Sequence, residues 1–504
     1  MTPSLNKEPM TRFSYRQHPH LYEINTWVWL EELSARHGRV LSLQDVPREE
    51  WDRLADLGFD FVYLMGVWRR SLIGRRIFRT DPRNYPNFDA ALPAWKMSDV
   101  VGSPFSIQDY SPDPRIATAE GLSEIHNQLR KRGMGLILDF VPNHTGFDHN
   151  WITQHPDRYI LGSEADFRRD PASFYLVERG GGDNLFVARG RDPYFPAWSD
   201  VAQLNYFNPE CRQGMIGILK NIAQYCDGVR CDMAMLVTNE IFQRTWGNFL
   251  KHWPTPQTEF WQETVAAMPD FVWLAEVYWD MEWQMQELGF KFTYDKRLYD
   301  RLREGSAGQV RDHLNADLQY QSKMARFLEN HDEPRCAAVF PREKIASVVT
   351  LLSTLPGLRF YHHGQLNAAK TFVPMPLDHA QPEADDRQIR ELYEQLLRCA
   401  DGDVFHAGDC QFLEVQPAGD DTSRDLIAYA WHHRHDHRLV VVNLGDRTAQ
   451  GKVRNAAVGA SGNCLFHDLL CGSEYMWERA ELDNNGLYVK LGPYQAHVFE
   501  VKEC

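Results

Sequence analysis

The chain has 504 residues, 43% hydrophobic and 24% charged, with 54 Lys+Arg against 69 Asp+Glu and a net charge of −15. This is the composition of a globular protein able to bury a large core, and its acidic balance argues against nucleic acid as a partner, because phosphate binding needs clustered Lys and Arg. No apolar run approaches the ~18 residues of a membrane span, the N-terminus has no apolar signal core, and the nine cysteines offer no second pair at zinc spacing beside Cys226 and Cys231. A cytoplasmic protein with reduced thiols and no membrane partner is expected.

Along the chain, short apolar or aromatic runs alternate with amphipathic stretches. The runs predict strands at 21–25, 59–65, 135–140, 228–231, 271–276, 290–294, 325–328 and 358–361. Helices are predicted over 48–57, 119–132, 209–225, 240–253, 344–355 and 387–399. Eight β/α alternations place the chain in the α/β class as a (β/α)8 barrel, with a doubly wound open sheet as the alternative. The stretch 142–203 breaks the rhythm: it is rich in aromatics, holds a glycine run at 180–182 and has no clear helix. It reads as an irregular domain inserted after the third strand, on one of the loops that build a barrel's active face. From 401 to 504 the runs shorten to 412–416, 426–431, 438–444 and 496–501, separated by Gly, Asp and Asn turns, which predicts an antiparallel β-sandwich. The barrel would then comprise 1–141 and 204–400.

Four segments concentrate polar residues at the ends of predicted strands: DFVPNH at 139–144, GVRCD at 228–232, AEV at 275–277 and ENHDEPR at 329–335. Any one could be an ordinary strand end or turn, but four in separate barrel slots converge on one face. Arg230 and Asp232 are two apart on a strand and point to one side. A cation there favours an ionised carboxylate and should lower its pKa, as a nucleophile needs. Glu276 follows Phe-Val-Trp-Leu-Ala, and an apolar setting raises a carboxyl pKa, as a general acid needs. Two carboxyls with pKa values pushed apart define a retaining glycosidase.

Taken in order, these segments resemble the four signature regions of the α-amylase family of glycoside hydrolases, and the resemblance runs from about residue 20 to the C-terminus. It implies a barrel, an inserted domain B and a C-terminal β domain. It also implies residue roles: Asp232 as the nucleophile, Glu276 as the general acid/base, and Asp332 as the third carboxylate, gripping sugar hydroxyls. Arg230 resembles the nucleophile's arginine partner, His144 and His331 the two histidines that bond the sugar in subsite −1, and Asp139 the supporting aspartate on the substrate side. The run SPFSIQDYSPDP at 103–114 resembles the loop that usually reads GYDVxDY, with Phe105 in place of the sugar-stacking Tyr; the aromatic face is kept and the phenol bond lost. AQLNYFNPE at 202–210 resembles the region near the end of domain B.

The sequence departs from the family at several positions. Met235 and Leu236 stand where many starch amylases have Lys-His, which implies an apolar aglycone side. Gln203 stands where calcium-binding members have Asp, while Asn143, a typical calcium ligand, is kept; a neutral amide is a poorer ligand than a carboxylate for a hard cation. No cofactor is required, and Asn143 is the one candidate calcium ligand. Ser106 replaces an Asp that closes the pocket in many exo-acting glucosidases, and Arg335, lacking the usual partner, reads equally well as a surface or strand-end arginine. The expected activity is hydrolysis of α-glucosidic bonds in small α-glucosides or maltooligosaccharides through a covalent glucosyl-enzyme, with a small-molecule carbohydrate as partner. The alternative is a transglucosidase, glucanotransferase or isomerase using the same intermediate. A non-catalytic scaffold fits less well, because all three carboxylates and both histidines are present.

Overall fold

The computed structural model describes residues 13–179, 183–250, 252–456 and 462–503. The first twelve residues, the glycine run at 180–182 and Lys251 of the predicted 240–253 helix lie outside the described residues. Eight parallel strands close into a barrel: β1 His20–Asn25, β2 Phe61–Met65, β3 Gly135–Phe140, β4 Gly228–Cys231, β5 Val272–Ala275, β6 Phe292–Tyr294, β7 Met324–Arg326 and β8 Leu358–His362. Closure of β8 on β1, with Tyr22 opposite Tyr361 and Glu23 opposite His362, rules out the open-sheet alternative. Every residue of these strands is buried, as parallel sheets covered on both faces require.

Period two sorts the barrel interior. Phe61 and Tyr63 on β2, and Phe292 and Tyr294 on β6, are spaced two apart and share the inner face. Tyr15 lies 4.9 Å from Phe61 and 6.4 Å from Phe292, so the segment before β1 plugs the lower end. Higher up, Phe360 packs 5.7 Å from Tyr294 and 6.5 Å from Tyr63, forming an aromatic floor under the mouth. Gly228 is needed for the close approach of β4 to β5, since a Cβ there would lie 2.4 Å from the Val272 carbonyl oxygen. Outside, the helix Ala119–Lys131 starts where the Thr118 side chain accepts from Gly121 N–H, and it buries Leu122, Ile125, His126 and Leu129 along one stripe.

Element ends differ in places from the sequence reading. The second strand starts at Phe61, not residue 59, and the Asp60 side chain just before it accepts from Arg16 and from His20 N–H. The helix predicted at 240–253 runs Asn239–Trp246 and ends in a 3-10 turn, Gly247–Phe249. Helices Lys296–Glu304, Ala307–Leu314 and Leu318–Ser322 fill the β6–β7 connection, which had no predicted helix. Among the described residues no helix is long and apolar enough to cross a membrane.

The excursion between β3 and β4 is less irregular than expected. Strands His144–Gly146 and Val201–Gln203 pair antiparallel at its base. Above them Leu161–Gly162, Leu185–Ala188 and Phe174–Val177 form a small sheet. It also contains the short helices Trp151–Gln154 and Glu164–Arg169, the second set by a capping box between Ser163 and Asp166. Their four- and six-residue lengths leave no long apolar period to read in sequence.

The C-terminal region holds a six-stranded and a three-stranded antiparallel sheet. Alternate residues of the strand Leu426–His433 serve two cores. Leu426, Ala428 and Ala430 face the second sheet, while Ile427, Tyr429 and Trp431 join the barrel core. Trp431 is 1% exposed, and its indole N–H donates to the Thr354 carbonyl at 2.9 Å. Trp431→Ala should therefore cost about 3–5 kcal/mol, read as a fall in the midpoint of thermal or denaturant unfolding; an unchanged midpoint would mean that this contact does not fasten the sheet to the barrel.

Candidate active site

The site is built on ladder bonds that continue past the strand ends. Asp232 N–H donates to the Phe140 carbonyl at 2.9 Å, and Glu276 N–H to the Cys231 carbonyl at 3.0 Å. The two carboxyl residues are thus fixed at the mouth by the same register that aligns β3, β4 and β5. Arg230, fully buried on β4, joins the three acids. Its Nη1 lies 2.7 Å from Asp232 Oδ1, and its Nη2 lies 2.8 Å from Glu276 Oε2 and 3.9 Å from Asp332 Oδ2. Burial opposes the guanidinium charge, but Glu276, Tyr294, Tyr63 and Asp232 more than restore it, so it stays a cation.

Glu276 is held at both oxygens: Met233 N–H donates to Oε2 at 2.7 Å and the Tyr278 hydroxyl to Oε1 at 2.9 Å. Met233 reaches it by adopting a left-handed conformation, φ 41°, that a non-glycine residue rarely accepts. Burial is the main cause that lifts Glu276 to about 7; the Arg230 contact opposes it, and the nearby Asp232 and Asp332 add to it. Asp232 also titrates above the ordinary aspartate range, since burial and Asp332 outweigh Arg230. The sequence expectation of a lowered value fails here because burial, with Asp332 beside it, outweighs the arginine. Asp232 Oδ1 is taken by Arg230, while Oδ2 makes no hydrogen bond among the described residues.

Asp332 has the most open carboxylate of the three, with a side chain 33% exposed against 9% for Asp232 and 5% for Glu276. Burial pushes it up, but His331 and Arg230 prevail and hold it below the usual range. His331 Nε2 lies 3.0 Å from Asp332 Oδ2. Phe105 is brought in as the resemblance implies, its ring 5.3 Å from that of His331 and 5.1 Å from the Arg230 guanidinium carbon. His144 sits at the base of the inserted segment beside Trp198, and burial keeps it neutral by lowering it to about 3.

The catalytic-domain model of the α-amylase family matches residues 52–389. The chain belongs to the α-amylase family. Among curated relatives, α-amylase 3 of Dictyoglomus thermophilum is 24% identical over 272 residues, 51% of this chain and 52% of that protein. α-Amylase MalA of Haloarcula japonica is 23% identical over 62% of this chain and 43% of its own length. The chain thus spans about half the length of these relatives. Among solved structures, a maltogenic α-amylase from Thermotoga neapolitana superposes with a TM-score of 0.68 at 20% identity, covering 96% of this chain and 98% of that one. An isomaltulose synthase from Klebsiella sp. LX3 gives 0.65 at 14% identity, covering 97% and 100%. These likenesses bear on the fold.

Within the α-amylase family frame, several expectations change. Asp139 does not face a ligand: it is fully buried, and its oxygens accept from Tyr63 OH and Gly66 N–H, both at 2.6 Å. It ties β2 to β3. Met235 and Leu236 do not form an apolar aglycone wall, because they are 0% and 3% exposed and belong to the core. Arg335 is not a surface residue: at 5% exposure it pairs with Glu329 at 3.1 Å and donates to His362 Nδ1 and the His363 carbonyl. Ser106 is buried and donates to the Asp200 carbonyl, fastening its loop to the inserted segment.

Asn143 is also reassigned. The Gln203 amide N–H2 donates to the Asn143 carbonyl and Oδ1, each at 2.9 Å, and to the Leu204 carbonyl at 3.1 Å. Donor hydrogens fill the acceptors that a calcium ion would need, so these residues do not fit the metal. Among the described residues, the one cluster of acidic and imidazole groups with metal-ligand spacing is Asp99, Asp378 and His379.

The sequence reading also missed Glu23. Its carboxylate is 0% exposed and lies 2.5 Å from His331 Nδ1. A glutamate inside the otherwise apolar β1 run was the available signal; its partner, 308 residues away, was not. Treatment with a chelator should leave activity and the melting temperature unchanged. A fall in either that added calcium reverses would contradict the reading of the Gln203 amide.

Proposed function

We propose that the chain is a retaining α-glycosidase that hydrolyses small α-glucosides or maltooligosaccharides through a covalent glucosyl-enzyme. The observation that carries this reading is one buried guanidinium that hydrogen-bonds Asp232 and lies 2.8 Å from Glu276, two carboxyls of unequal proton affinity. Glu276, raised to about 7, keeps its proton in a large share of molecules near neutral pH and can protonate the glycosidic oxygen. Asp232, with Oδ2 unengaged among the described residues, attacks the anomeric carbon. Glu276, now ionised, then takes a proton from water, which releases the sugar with its α configuration kept. Asp332, the most open of the three, is placed to grip ring hydroxyls.

A cavity of about 920 Å³ adjoins His331, lined by Tyr22, Asn25, Arg335, His362 and Phe372 but not by the three carboxylates. The buried thiols of Cys211, Cys226, Cys231, Cys336 and Cys410 suit work in a reducing cytoplasm. A second reading, transfer to a sugar hydroxyl, is favoured by the shelter of the pair: Glu276 is 3% and Asp232 6% exposed. Water must therefore enter by the face that Asp332 leaves open, where a bound sugar acceptor would compete with it.

The experiment is a product-resolved screen of α-linked di- and oligosaccharides, with the first anomer read by NMR. Free α-anomeric sugar supports hydrolysis with retention, and longer or isomeric sugars support transfer. A β-anomeric first product, or no turnover of any member, would overturn the reading. Asp232→Asn and Glu276→Gln should each lower kcat/KM by ~10³-fold or more without unfolding the chain; near-full activity of either would refute its role. Because the acid must carry its proton, kcat/KM should be high below, and fall through, pH of about 7, and Glu276→Gln should abolish that limb.

A further inference from the structure

We propose that Glu23 is a positioning residue of the site, whose carboxylate clamps His331 so that the imidazole presents Nε2–H to Asp332. The inference rests on the reading of Asp332 as a working carboxylate. Glu23 lies on β1 with its side chain wholly buried, so it cannot touch substrate. One oxygen lies 2.5 Å from His331 Nδ1, and the other accepts from His331 main-chain N–H at 3.2 Å. Two-point attachment fixes both the ring and the backbone of the residue that precedes Asp332. On the far side of the ring, Nε2 meets Asp332 Oδ2 at 3.0 Å.

An imidazole flanked by two carboxylates is favoured as the cation: Nδ1–H bonds Glu23, while Nε2 lies in ion-pair contact with Asp332, off the line of a hydrogen bond. If His331 were neutral with its proton on Nδ1, the Nε2 lone pair would face the Asp332 anion and push it from its place. The other groups facing His331 are Asp232 just past β4, Asp139 from β3, His362 from β8 and the Phe105 ring, while Arg230 acts on its partners Glu23 and Asp332. His362 opposes a positive imidazole, and the acids favour it. Burial lowers His331, yet Asp332 and Glu23 together hold it well above an ordinary histidine. Glu23 in turn is held low by His331 despite its burial. The carboxylate of β1 therefore supplies the charge that lets β7 deliver a fixed donor to the mouth. Register explains how it can: Glu23 lies opposite His362 of β8, so it reaches across one strand to the end of β7.

The test uses the full chain, with Glu23→Gln, Glu23→Asp and Asp332→Asn compared on an α-glucoside that the parent cleaves. Glu23→Gln keeps shape and an acceptor for Nδ1–H but removes the charge. It should lower kcat by ~10–100-fold, the scale seen when a histidine loses its orienting carboxylate at metal sites. It should also bring a new ionisation into the pH profile below the parent's alkaline limb. Glu23→Asp, which keeps the charge, should recover part of the activity and the parent pH profile. Side-chain ¹⁵N spectra of histidine-labelled protein should show an imidazolium assigned to His331 in the parent, by its absence in His331→Asn, and its loss in Glu23→Gln. Unchanged kcat and pH profile in Glu23→Gln, or a retained imidazolium signal despite lost activity, would overturn the proposal. If Asp332→Asn is inactive while Glu23→Gln is silent, the clamp alone fails; if Asp332→Asn is fully active, the reading beneath it fails.

Discussion

Arg230 is the constraint on which the rest of the site depends. A guanidinium without solvent contact cannot persist uncompensated, and here Asp232 and Asp332 supply the counter-charge while Glu276 lies against Nη2. Removing one member of such a buried group typically costs about 3–5 kcal/mol, because the others are left unpaired. Stability and catalytic geometry are therefore one requirement. The barrel meets it by placing Arg230 on β4 opposite Asp139 of β3 and Leu274 of β5, so that the next ladder positions carry Asp232 and Glu276 to the same height.

The cation is shared unequally, and the inequality separates the roles. Asp332 has His331 as a second positive neighbour and is held low. Glu276 has the Met233 amide and the Tyr278 hydroxyl but no second cation, and burial raises it. The left-handed Met233 shows backbone strain placed where it aims a donor at the acid. A second shell repeats the arrangement: Asp139 accepts from Tyr63 and Gly66, and Glu329 pairs with Arg335 beside His362. Acidic and cationic groups alternate around the mouth, so few buried charges stand alone.

Much of this was legible in the sequence because it depends on short-range patterns. Each of the eight apolar runs corresponds to a barrel strand, and the two-residue spacing of Arg230 and Asp232 translates directly into a 2.7 Å contact. What could not be read depends on partners distant in sequence or on net balance. Glu23 was one polar residue in HLYEIN until the fold brought His331 to it. Gln203 looked like a weakened calcium ligand, but whether its amide serves as acceptor or donor is decided by Asn143, 60 residues away. Met235 and Leu236 looked like site walls, since position after a nucleophile does not reveal whether a 3-10 turn faces inward. The sign of the Asp232 shift required the sum of burial, one cation and a neighbouring acid, where spacing supplied only the cation.

The central claim is that the carboxylate bonded to Arg230 becomes covalently attached to the sugar. Brief reaction with a 5-fluoro-α-glucosyl fluoride, followed by proteolysis and mass spectrometry, tests it directly. The account predicts a single fluoroglucosyl adduct on the peptide that contains Asp232, absent in Asp232→Asn. Turnover of the reagent with no trapped adduct, or an adduct on a different carboxylate, would contradict it.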